Sequence, residues 1–343
     1  MTLGERKLQI LAAVVEAYIR TGEPVGSKMI RELMGNTVSS ATIRNDMADL
    51  AERGLLDQPH TSAGRVPTDR GYRMYLTSRM EKTPLSREDR ISIDAMLTEA
   101  GDDPEHLLER AVQSLAYLTN CVAVVTTPSA ADTTVKSIQI VPVGRRTAVV
   151  VLMASSGILK TRVCRCSFDL TTDVMRVMAR LASERILHQP IEAITVAYMQ
   201  SIAASIGEFV FLVAPILLAI LEAAQETART EVFAAGQGNL MQRPEYSDTG
   251  ARRVMDFVER HDEVAALLGK TRSGVNILIG PESGCNELMT SSIVTAGYSV
   301  NGADSGRLAL IGPTRMDYPV VISYLEYFAE RLEAVLAETL RND

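Results

Sequence analysis

Ser40, Ala41, Arg44 and Asn45 fall between positions 40 and 45, and their side chains are the kinds that meet base edges in DNA. Arginine pairs bidentately with guanine, asparagine with adenine, serine with either, and an alanine methyl packs against thymine. Thr42 adds a hydroxyl to the same stretch, and Ser27 offers another upstream. A second group follows at His60, Thr61, Ser62 and Arg65, where one cation sits among hydroxyls in a small-residue loop. Such a loop suits phosphate or minor-groove contact. Between positions 53 and 79, Arg53, Arg65, Arg70, Arg73 and Arg79 stand against Asp57 and Asp69, a local balance of +3.

The elements that position these residues are legible. Ser39 or Ser40 can cap a helix by accepting a bond from one of its first free amides, and Gly54 can close it as the C′ residue. Within it Ile43, Met47, Leu50 and Ala51 form one apolar stripe, which leaves Ala41, Arg44 and Asn45 on the other face. Leu8, Leu11, Ala12, Val15, Tyr18 and Ile19 mark an earlier helix by the same periodicity, ended by Gly22 and Pro24. Ser27 can cap a second helix through Met29, Ile30, Leu33 and Met34, and Gly35-Asn36 turns into the third. Leu55–Asp57 and Val66-Pro67 read as the strands of a hairpin around the His60–Arg65 loop. Three helices and a hairpin describe a winged helix-turn-helix, in which the start of the second helix of the pair enters the major groove.

The remaining chain supports this basic head with an acidic body. Residues 1–85 carry 12 Lys and Arg against 10 Asp and Glu, and residues 86–343 carry 23 against 32, giving +2 and −9. An acidic body directs phosphate toward the contact face. Positions 84 and 85 separate head from body at the Glu81–Pro84 break. Two helical patterns run from Ser86 to Tyr117 around Gly101–Pro104. β-branched runs follow at 122–126, 135–143, 147–153 and 158–166, then a mostly helical stretch, about 168–269. Strands resume at 275–279, 293–300 and 308–311 before a closing helix that starts near Tyr318. The expected order is a discontinuous α/β domain with an antiparallel sheet, 85–167 with 270–343, interrupted by an inserted domain, 168–269. The apolar run from Phe209 to Leu221 is too short for a membrane helix, which needs ~20 residues, and Glu208 and Glu222 bracket it. It is expected to be covered by a second copy of the chain, through Phe209, Phe211, Leu217, Leu218 and Leu221.

Chemistry of other kinds is not expected. Cys121, Cys164, Cys166 and Cys285 lack metal-ligand spacing, and the four histidines are scattered, so no metal and no cofactor is assigned. Gly280–Cys285 lacks the Gly-x-Ser-x-Gly spacing and an activating base, so a turn is expected there rather than a nucleophile. No phosphate-cradling glycine pattern occurs. The charged start at Glu5, Arg6 and Lys7 gives no signal peptide, and the expected location is the cytoplasm.

Three stretches near the N-terminus, Glu23–Lys28, Ser40–Met47 and Gln58–Thr68, together with Gly236–Leu240, Arg243–Tyr246 and Ile311–Tyr318, resemble the bacterial heat-inducible transcription repressor family HrcA. The likeness runs from one end of the chain to the other. One position departs from it, Pro281, where a polar or acidic residue is expected. The resemblance implies a winged helix head, a GAF-like domain split by an inserted dimerization domain, and repression of chaperone operons from a CIRCE-type inverted repeat. It also implies the chaperonin GroEL as a partner that keeps the repressor active. Two other readings stand beside it: a regulator gated by a small molecule in the GAF-like domain, and a cytosolic enzyme whose winged helix serves protein contacts.

Overall fold

The computed structural model describes residues 3–59, 64–98, 103–128, 133–207, 210–272, 274–300 and 303–341. Helix α1 (Glu5–Thr21) buries Ile10, Leu11, Val14 and Val15 on one stripe and ends at Gly22, whose φ of 72° gives the left-handed C-cap. Helices α2 (Ser27–Leu33) and α3 (Ser40–Glu52) follow. The expected cap at Ser27 is not formed. Ser27 is already the first helical residue, and the N-cap position falls to Gly26, which has no side chain to accept a bond. Strands β1 (Leu56–Asp57) and β2 (Val66–Pro67) pair antiparallel, Leu56 opposite Pro67. Helix α4 (Asp69–Ser78) leaves the hairpin, capped by the Thr68 hydroxyl, which accepts from Gly71 N at 3.1 Å and donates to Gly54 O at 2.7 Å.

The body is built on a five-stranded antiparallel sheet of order β7-β3-β10-β9-β8. Its strands are β3 (Val122–Thr126), β7 (Val232–Ala235), β8 (Asn276–Ile279), β9 (Ser291–Val300) and β10 (Ala303–Pro313). Successive side chains of a strand point to opposite faces, and here both faces are covered. Ala123, Val125, Leu308 and Leu310 pack with α6 (Pro104–Thr119) and α13 (Tyr318–Arg341). Val122, Val124, Ala309 and Ile311 pack with α10 (Gly238–Met241), α11 (Asp248–Glu259) and α12 (His261–Gly269). This is why the strands read as continuous apolar runs. Helix α5 (Arg87–Thr98) lies against α6 and α13.

The strands β4 (Val135–Gly144), β5 (Thr147–Ala154) and β6 (Leu159–Arg165) form a separate antiparallel sheet, β4-β5-β6. Ala148, Val150 and Leu152 of β5 are fully buried on one face, over α7 (Thr172–Arg185), α8 (Val196–Ile206) and α9 (Val210–Thr227). The chain leaves the large sheet after β3 and returns at its neighbour β7, with Thr127 and Glu231 hydrogen-bonded at the neck. Lys160, only 11% exposed, pairs there with Glu105 at 2.8 Å and Glu231 at 2.9 Å.

The divisions expected at 168 and 269 therefore do not coincide with where the sheets and cores divide, which is near 128 and 232. A β-branched run predicts a strand but does not say which sheet the strand joins. The strand β7 lay hidden in a stretch read as helical, because Ala234 and Ala235 are poor strand formers and only its pairing with β3 defines it. Pro281 occupies the first turn of a short 3₁₀ helix, Gly280–Ser283, a position that needs no backbone N–H. Ser283 donates to Gly280 O at 2.8 Å within it, as expected of a turn. Among the described residues no helix is long and apolar enough to cross a membrane.

Candidate nucleic-acid interface

Helix α3 is N-capped by Ser39, whose hydroxyl accepts from Thr42 N at 3.1 Å and lies 2.9 Å from the Thr42 hydroxyl. Thr42 is thus engaged in the cap. Ile43 and Leu50 are fully buried and Met47 nearly so, as the apolar stripe requires. Ala41, Arg44 and Asn45 are exposed, and among the described residues neither Arg44 nor Asn45 has a hydrogen-bond or ion-pair partner. Ser40 is half-buried, with its hydroxyl turned inward. Ser27 is half-buried at the start of α2.

Helix α3 is anchored to α1 by ion pairs not anticipated from the sequence. Arg6 clasps Asp46 with two bonds, Nε to Oδ2 at 2.8 Å and Nη2 to Oδ1 at 3.2 Å, and Asp46 is only 5% exposed. Lys7 bonds Asp49 at 2.7 Å and Arg53 bonds it at 2.8 Å, and the two cations hold its carboxyl below the ordinary range. Asp46 and Asp49 stand three apart, one turn of one face. Arg53 is the local i+4 neighbour of Asp49, but Arg6 and Lys7 lie some forty residues back in the chain, where no local pattern links them. The clamp engages Asp46 and Asp49 of α3 and leaves Arg44, the one cation within the helix, exposed and without a partner among the described residues; Glu52, in the last turn, is exposed.

The hairpin is wider than two strands. Val25, between α1 and α2, bridges antiparallel to Arg65, with Val25 N to Arg65 O at 2.8 Å and Arg65 N to Val25 O at 2.9 Å. Gly64 makes this approach possible, since a Cβ there would lie 2.4 Å from the Val25 carbonyl. The Arg65 guanidinium is half-buried and donates to the Gln58 side chain across the hairpin. His60, Thr61 and Ser62 lie outside the described residues.

The residues expected to cover the apolar insert divide. On α9 Leu217 and Leu221 are 4% and 7% exposed and belong to the core beneath the small sheet, while Phe211 and Leu218 are 80% and 55% exposed. Seven residues is about two helical turns, so Phe211 and Leu218 share one outward stripe. Phe209 lies outside the described residues.

A family model for the HrcA protein C terminal domain matches residues 105–322. The heat-inducible transcription repressor HrcA of Symbiobacterium thermophilum is 33% identical over 333 residues, 96% of this chain and 98% of that protein. The repressor of the same name from Desulforudis audaxviator is 32% identical over 345 residues, 99% of this chain and 100% of that one. Among solved structures, the crystal structure of a hypothetical protein at 2.2 Å resolution matches with a TM-score of 0.67 at 24% identity, over 98% of this chain and 100% of that chain, a likeness of fold.

Proposed function

The chain belongs to the HrcA family of heat-inducible transcription repressors, and from that premise we propose that it represses chaperone operons as a dimer on an inverted-repeat operator of the CIRCE type. The observation that carries the proposal is the outer face of α3, where Ala41, Arg44 and Asn45 are exposed and, among the described residues, Arg44 and Asn45 are unpaired, while Asp46 and Asp49 are bonded to α1. Residues 1–84 act as a winged helix-turn-helix, with α3 in the major groove and the 58–67 hairpin as the wing on the phosphates.

The rest of the chain serves this head. The five-stranded sheet with its flanking helices is the GAF-like domain, and the small sheet with α7, α8 and α9 is the inserted dimerizing unit, in which Phe211 and Leu218 meet a second copy. Two heads are needed on electrostatic grounds. One head of +2 neutralises few phosphates, and two on one duplex double the contacts. The protein works in the cytoplasm, and the chaperonin GroEL keeps it in the DNA-binding form.

Footprinting the purified full chain on promoter DNA upstream of chaperone operons tests the reading. A two-fold symmetric protected site with its half-sites about one helical turn or a multiple apart is expected. A single asymmetric patch, or protection spread without preference, would sink it.

A further inference from the structure

Two arginines outside the base-reading face tie the head to the body. Arg73, on α4, donates from Nε to Glu282 Oε1 at 3.0 Å and from Nη2 to Ile277 O at 2.5 Å, and pairs with Glu282 through Nη2 as well. Glu282 is itself fixed by accepting from Ile279 N at 2.9 Å. Arg315, on the turn between β10 and α13, donates from Nη1 to Ile19 O at 2.7 Å and from Nε to Glu245 at 2.5 Å. Ile19 carries one of the last carbonyls of α1, which have no partner within the helix and sit at its negative end, a natural seat for a guanidinium. Gly22 leaves room for it, since a Cβ there would meet Arg315 Cζ at 3.3 Å. Arg315 and Glu245 are 17% and 20% exposed. Between the two clasps Tyr72 of the head meets Tyr318 of the body with ring centroids 6.0 Å apart, and one apolar core runs continuously through both.

The covalent link would not hold the head in place by itself. Residues 79–86, between α4 and α5, form neither helix nor strand, Glu81 to Pro84 are exposed, and the one bond from Lys82 to Glu326 of α13, at 2.6 Å, is a solvent-exposed ion pair of the kind that holds weakly. Eight residues can span roughly 26 Å, whereas one base pair advances a half-site by about 3.4 Å. A head tethered only by this segment could follow half-sites over several spacings.

We propose that Arg73 and Arg315 are positioning residues for operator binding: by locking the head on the body they present the two recognition helices of a dimer at one fixed separation. This rests on the reading that two heads engage one inverted repeat. Neither arginine touches DNA. Their contribution is that the second head binds from a preset place, and its effective concentration is high only where the geometry matches.

The full chain as wild type, Arg73→Ala and Arg315→Ala is titrated with inverted repeats whose spacers change in single base-pair steps, and with a lone half-site. Wild type should lose about tenfold or more in affinity one base pair from its optimum. The variants should bind the optimum about tenfold more weakly, vary no more than about threefold across spacers, and bind the half-site as wild type does. Trypsin cleavage at Lys82 without DNA gives a second reading, and the variants should release the head about tenfold faster. Spacer profiles as sharp as wild type, or unchanged cleavage, overturn the proposal. Loss of half-site binding also overturns it, by assigning both arginines to the folding of the head. If wild type itself does not prefer the inverted repeat to the half-site, the two-headed reading falls and takes the proposal with it, while the cleavage rates still report whether the clasps hold the head.

Discussion

Arg44 and Arg65 present their guanidinium groups in different ways. Arg44 is exposed and unpaired among the described residues, so docking on a base breaks no bond within the protein. Arg44→Ala should cost about 1–3 kcal/mol of operator binding and relax the preference at one base pair. Binding with unchanged affinity and sequence preference would remove α3 from the groove. Arg65 already donates to Gln58 across the hairpin, so it must share or exchange that bond to reach a phosphate. Arg65→Ala is expected to weaken binding to all sequences alike and to lower the salt slope by about one unit. A salt slope equal to wild type would mean that the guanidinium stays on Gln58 in the complex.

Two elements carry predictions of opposite kinds. The hairpin depends on Gly64, where an added Cβ would strike backbone, which cannot yield as a side chain can. Gly64→Ala should destabilise the chain by about 1–3 kcal/mol through overpacking. Thermal denaturation would show it, and a melting temperature equal to wild type would separate the hairpin from Val25. On α9, neighbouring leucines should behave differently. Leu217→Asp buries an unpaired charge in the core and should cost several kcal/mol, unfolding the insert. Leu218→Asp places its charge on the outward stripe, and should leave the melting of the chain nearly unchanged while light scattering reports monomers. If Leu218→Asp stayed dimeric wherever wild type is dimeric, the interface would lie elsewhere on the molecule.

At the scale of the whole molecule, the insert exposes Phe211, Leu218 and Val163, and such a chain exposes apolar surface before it pairs. A fraction of the protein prepared alone should therefore be inactive. Adding GroEL should raise the DNA-binding fraction without altering the affinity of molecules already active, as titration against a fixed concentration of operator would read. An unchanged fraction, with a metabolite restoring binding instead, would favour the ligand-gated regulator.

Period and punctuation made the local elements readable in the sequence. The 3.6-residue stripe of Ile43, Met47 and Leu50, the Ser39 cap and Gly54 defined α3 and left Arg44 and Asn45 outward, because a helix face is decided by neighbours three and four residues away. The motifs shared with the family reached further, and named it from residues spread along the chain. What only the tertiary structure decided is how distant pieces meet. Strands 135–165 follow β3 as further β-branched runs over short connections, and that pattern does not say which sheet a strand joins. The short strand Val232–Ala235 exists because β3 pairs with it. Arg6 with Asp46, Arg73 with Glu282 and Arg315 with Ile19 are contacts between points far apart in the chain. A charged side chain in a sequence shows that it needs a partner; which partner it takes is settled when folding brings the two within hydrogen-bond reach.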